Sequence, residues 1–218
     1  MKRWLNKQKK RFTDEEFRIK FLTFIVIKSL IIFFIIALIL KNKEFIYYDL
    51  ILLLVVLLTY FIHKKLKIHL PLLIMIWIIF LIHAGGGVLY INGTRLYDIT
   101  FSFIKYGMIV HFFGIFVSVF VIYNLIHNLF GEKEKYSNTQ MIFILSFMAM
   151  GFGTIVEMIE LFAVVFLNAA EGVGGYMNNA IDLLVNGLGA LTGAIIITHY
   201  HYKKNFKNII FKGKLKSS

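Results

Sequence analysis

The chain has 218 residues, 59% hydrophobic and 17% aromatic, with a single proline, Pro71, and no cysteine. A soluble domain of this length could bury a sizeable core, but it would need a polar surface that this composition does not supply. The lack of cysteine excludes disulfides, thiolate catalysis and cysteine-ligated zinc. The net charge of +12 would suggest nucleic acid in a soluble protein; here it sits in tails and short loops, where it sets membrane orientation, so the expected partner is the lipid bilayer and no nucleic acid.

In chain order, residues 1–20 form a basic cytoplasmic segment expected to rest on anionic headgroups, and Thr13 followed by Glu16 reads as a capping box opening the first helix. The apolar run behind it is too long for a signal peptide, and Ala37-Leu38-Ile39-Leu40 offers no small-residue cleavage site. Apolar runs of about 20 residues predict six spans, near 21–40, 46–62, 70–90, 105–130, 141–167 and 178–200. Turn and charge signals separate them at Lys41-Asn42-Lys43, Lys64-Lys65-Leu66-Lys67, Asn92-Gly93, Gly131-Glu132-Lys133-Glu134-Lys135 and Glu171-Gly172-Val173-Gly174-Gly175.

The predicted fold class is therefore all-α, a polytopic membrane helix bundle. Residues 21–62 supply two apolar, lipid-facing helices with almost nothing polar; 70–200 supply a four-helix core; 201–218 form a basic cytoplasmic tail. No internal repeat is evident. Alternate sides carry nineteen lysines and arginines against four, with Lys28 inside the first span and able to snorkel. That asymmetry predicts both termini in the cytoplasm.

The later spans carry polar stripes at helical spacing: Gly107, His111, Gly114 and Ser118; Ser146, Met150, Gly153, Glu157 and Glu160; Asn178 or Asn179, then Asp182, Asn186, Gly189 and Gly193. Each is expected to face protein, the glycines permitting close helix approach. With this topology His83, Asp98, His111, Glu157, Glu160 and Asp182 all fall in the outer third of the bundle. Ionisable groups at membrane depth cost free energy and usually serve a site.

Each residue also has an ordinary role to weigh. A lone interfacial histidine such as His83 usually does no more than hydrogen-bond, Asp98 can pair with Arg95 or Lys105, and His111 can satisfy a backbone carbonyl. Glu157 and Glu160 are harder to place, since acids at i, i+3 repel on a buried face; Asp182 with Asn186 one turn on is equally foreign to lipid. His63, His69, His127, His199 and His201 lie toward the cytoplasmic ends and are expected to be interfacial.

Carboxylates gathered at close range need a bound cation, a basic partner or protonation, and Arg95 and Lys105 offset at most part of the charge. A divalent metal of unspecified identity is therefore expected on His83, His111 and Asp182, with Glu157, Glu160 and Asp98 catalytic and Asn186 in support. No HExxH or other compact metal motif is present, so this expectation rests on convergence.

Five pieces at these residues carry a family likeness: His83-Ala84-Gly85-Gly86-Gly87 through Tyr90, Tyr97-Asp98, His111-Phe112-Phe113-Gly114, Glu157-Met158-Ile159-Glu160, and Asp182 through Asn186 to Ala190. As an ordered set over roughly 70–200, the chain resembles the YjdF-like family of bacterial and archaeal integral-membrane proteins, departing after Glu160, where Leu161 replaces the usual aromatic. The resemblance implies a polytopic protein and supplies no reaction. Three functions follow as expectations: a metal-dependent membrane hydrolase acting at the outer leaflet on a lipid or lipid-linked substrate, a proton- or cation-coupled transporter, or a non-catalytic bundle with a structural polar core.

Overall fold

Among the described residues, six long helices carry the chain back and forth: α1 Glu15–Ile39, α2 Lys43–Ile62, α3 Leu70–Val88, α4 Tyr106–Phe130, α5 Asn138–Leu167 and α6 Tyr176–Tyr202. All six are long and apolar enough to cross a membrane. The structure, a computed structural model, describes residues 14–66, 68–130 and 137–202. The basic segment with Thr13, the loop 131–136 and the tail from 203 lie outside the described residues, as does the side chain of His201.

Local chemistry fixes the helix ends. Asp14 caps α1, its side chain accepting from the Glu16 amide at 3.1 Å. Asn42 caps α2 by accepting from the Phe45 amide, and Pro71 sits in the first turn of α3, where its missing N–H leaves no bond unmade. α5 starts earlier than hydropathy suggests because Ser137 and Gln140 form a reciprocal capping box.

The loop after α3, expected as a simple Asn92-Gly93 turn, folds into two hairpins. Strands β1 (Tyr90–Ile91) and β2 (Thr94–Arg95) pair antiparallel, as do β3 (Thr100–Phe101) and β4 (Ile104–Lys105). Asn92 and Gly93 both take positive φ, the two-residue turn whose twist suits a tight hairpin.

Cross-links define two sides. On one, Lys64 reaches Glu16 at 2.8 Å, and the amides of Asn124 and Asn128 donate to the Leu66 carbonyl. On the other, the hairpin side, Asn42 donates to the Gly87 carbonyl, and Arg95 joins Glu44 and Gly172.

The main core gathers Leu30, Val56, Leu73, Trp77, Val119 and Leu145 with their neighbours; a second cluster at the hairpin side holds Phe45, Tyr48, Val88 and Ala163. In lipid, helices associate through close packing, and α6 achieves it as expected: Gly189 and Gly193 lie against the backbone carbonyls of Phe112 and Phe116 on α4.

Two expectations need correction. The outer faces of α1 and α2 are lipid-facing, with Phe24, Ile32, Leu54 and Phe61 exposed, yet the inner face of α2 buries Glu44, Tyr48 and Asp49. On α5 the buried seam runs through Leu145, Ala149, Gly153, Glu160 and Ala163, leaving Met150 41% exposed and off the protein-facing stripe.

Candidate functional site

His111, buried one turn into α4, meets two acids from α5. Its Nε2 lies 3.3 Å from Glu160 Oε1 and its Nδ1 lies 3.6 Å from Glu157 Oε1. The i, i+3 spacing that makes two acids repel on a lone helix here sets them on opposite nitrogens of one imidazole. Gly153 leaves room for Asn186, whose Nδ2 donates to Glu157 Oε1 at 3.1 Å.

From α6, one turn before Asn186, comes buried Asp182. Its Oδ2 accepts from Asn178 Nδ2 at 2.6 Å, and the same amide donates to the Val173 carbonyl, tying the helical turn Ala170–Val173 to the site. His111, Glu160 and Asp182 each offer one ligand atom, all within 4.8 Å of one another.

Of the three residues expected to hold a metal, His111 and Asp182 are in this group and His83 is not; Glu160 takes the third place. His83 sits instead in an aromatic cage, its ring centroid 5.4 Å from Phe45 and 5.6 Å from both Tyr48 and Tyr97.

Asp98, expected to be catalytic, is gripped by Arg95, with Nε to Oδ2 at 2.7 Å and Nη2 to Oδ1 at 3.1 Å. Arg95 is only 9% exposed and also binds Glu44 Oε2 at 2.9 Å and the Gly172 carbonyl at 2.8 Å. Burial works against the guanidinium charge, but the bond to Asp98 and the charge of Glu44 outweigh it and raise its pKa above the ordinary value. Asp98 therefore stands on the rim as half of an ion pair, outside the group of three but lining the same small cavity as His111, Glu160 and Asp182.

Two cavities meet at the cluster. A small one of about 30 Å³ is lined by Asp98, Lys105, Asn178 and Asp182 among others. A larger apolar one of about 470 Å³ lies among α2, α3, α4 and α5. Tyr48, Tyr97, His111 and Glu160 line both. The α4 stripe of Gly107, His111, Gly114 and Ser118 faces these cavities: Gly107 lets the Tyr97 ring pack close, and Gly114 and Ser118 leave space in the apolar cavity.

Sequence reasoning missed Glu44, Tyr48 and Tyr97. Among the described residues, the hydroxyls of both tyrosines are buried without a hydrogen-bond partner, as are Glu157 Oε2 and Asn186 Oδ1. Burial, and then the charges of Glu160 and Asp182, hold the Tyr97 phenol well above its usual range, so it is a neutral donor.

A family model described as predicted membrane protein, DUF2238, matches residues 21–203, consistent with the YjdF-like resemblance. No curated protein and no solved structure matches the chain.

Proposed function

The chain belongs to the DUF2238 family of predicted membrane proteins, and for it we propose a metal-dependent hydrolase that acts on an ester of a membrane lipid at the hairpin side. The excess of nineteen basic residues against four on alternate sides supports an orientation with that side facing away from the cytoplasm, by the positive-inside rule. The observation that carries the reading is the imidazole of His111 held between two carboxylates where a polar cavity meets an apolar one.

His111, Glu160 and Asp182 would hold a divalent ion, a hard-and-borderline donor set suited to zinc or manganese. Glu157, held by Asn186, faces the other nitrogen of His111 at 3.6 Å, and closing that gap to a hydrogen bond would make it the support that metal-bound histidines use. When bound, the ion supplies Lewis acidity and lowers the pKa of water.

The remaining work falls to the chain. The second oxygen of Glu160 accepts a proton from the attacking water. The water oxygen bonds to the ester's carbon or phosphorus, the bond to the leaving alcohol breaks, and that alcohol takes up the proton from Glu160. The Tyr97 hydroxyl donates to the oxygen on which charge develops. The apolar floor below the cluster weighs against a proton or cation path.

Purified protein loaded with zinc or manganese and mixed with a membrane lipid extract in micelles tests this. Mass spectrometry should find the acid and alcohol halves of a cleaved lipid ester with wild type and neither with Asp182→Asn. No product from phospholipid, glycolipid or isoprenoid-linked fractions would overturn the hydrolase.

A further inference from the structure

The apolar cavity below the cluster extends along α2 from Tyr48 to Thr59 and along α4 from His111 to Val121. Ten or eleven residues of helix rise roughly 15 Å, which is half of a hydrocarbon core of about 30 Å and so the depth of one leaflet. Its walls are aliphatic and aromatic, with Ile51, Val55, Ile79, Phe80 and Ile115 among them. The hydroxyls at its deep end are already occupied: Ser118 donates to the Ile115 carbonyl at 2.7 Å and Thr59 to carbonyls of its own helix. Nothing there demands water.

The cavity also has a side opening. Phe152 and Ile155 on α5 line it while remaining 46% and 53% exposed. Across from them, Ile51 and Val55 of α2 line it beside the exposed Leu54 and Leu58. A lining residue that is also exposed sits at a mouth, and this mouth faces the bilayer between α2 and α5. At its upper end the cavity reaches Tyr48, Tyr97, His111 and Glu160, which it shares with the polar vestibule.

We propose that this cavity binds one hydrocarbon chain of a membrane amphiphile, admitted sideways between α2 and α5, with the headgroup linkage at the His111 cluster. The assignment rests on the proposed hydrolase for the bond that is cut, but chain binding stands on the cavity alone. A single chain matches one leaflet-deep channel whose ionisable residues gather at one end and whose deep hydroxyls are bonded within their own helices. Burying it is favourable relative to water but gains nothing relative to lipid, so the polar end must hold the substrate in place.

The experiment is photolabelling in nanodiscs containing a phosphatidylcholine with a diazirine at the end of one acyl chain, followed by peptide mapping. Wild type should be labelled inside, at Ile79 or Ser118, as well as on outer residues such as Phe147. Gly114→Phe should lose the inner labels and keep the outer ones. A Cβ at Gly114 meets only Ile79 Cγ2, at an ordinary 3.7 Å, so a side chain there grows into the cavity. Ser118→Phe, filling the same space from one turn deeper, should do the same if Gly114→Phe does not fold.

Inner positions unlabelled in wild type, or labelled equally in a folded cavity-filling variant, would overturn the proposal. Repeating the labelling after chelation separates the two claims. Inner labelling that persists without metal supports the chain site even if the hydrolase fails, and metal binding without inner labelling overturns this proposal alone.

Discussion

Arg95 joins three connections that are far apart in sequence: Glu44 at the start of α2, Asp98 in the hairpin loop and the Gly172 carbonyl before α6. With Arg95 and Glu44 both buried, removing one partner strands a charge, a loss of about 3–5 kcal/mol for a buried pair. Arg95→Gln should therefore lower the melting temperature in detergent sharply. Arg95→Lys should rescue it only in part, because an ammonium cannot reproduce the two-pronged contact to Asp98. Unchanged melting in Arg95→Gln would show that the clamp adds nothing. Half of this was legible: Asp98 could be foreseen near Arg95 because they are three residues apart. Glu44 could not, since an acid in a helix's first turn has a sufficient local explanation in the helix dipole and its partner lies 51 positions away.

Among the elements, hydropathy revealed all six helices because each buries its own backbone bonds and must carry some 20 apolar residues. The hairpins escaped because two-residue strands are too short to show alternation. The capping box at Ser137 and Gln140 was present in the sequence and lay outside the apolar run that drew attention. Glycine stripes were ambiguous in principle: Gly189 permits α4 and α6 to touch, while Gly114 on the facing helix lines a cavity, and the two look alike until neighbours are placed. Gly189→Val should cost about 1–3 kcal/mol by overpacking the Phe112 carbonyl. Gly151→Ala, with nothing within 4 Å, should raise stability by about 0.5–1 kcal/mol through helix propensity. Thermal unfolding of both beside wild type checks the pair, and equal stability of Gly189→Val and wild type would refute the close approach.

Across the whole molecule, convergence of polar residues near one end of the bundle was legible from helix direction and rise, and His111, Glu157, Glu160, Asp182 and Asn186 do come together. Which of them share a centre was not, because rotation of each helix about its axis is set by packing: His83 turns into the aromatic cage while Glu160 meets His111 and Asp182, and Asp98, in the hairpin loop, pairs with Arg95. The apolar cavity had no sequence signal at all, being a gap between helices whose lining is indistinguishable from ordinary core. The central claim is that the cluster holds a metal, and metal content per chain, measured by mass spectrometry after zinc or manganese loading and removal of loosely bound ions, tests it most directly. Near-stoichiometric metal is predicted in wild type and Asp98→Asn, none in Asp182→Asn or Glu160→Gln, and an affinity weakened roughly 10–100-fold in Glu157→Gln, which loses only the support of His111. No metal in wild type, or the same amount in all five proteins, would contradict the account.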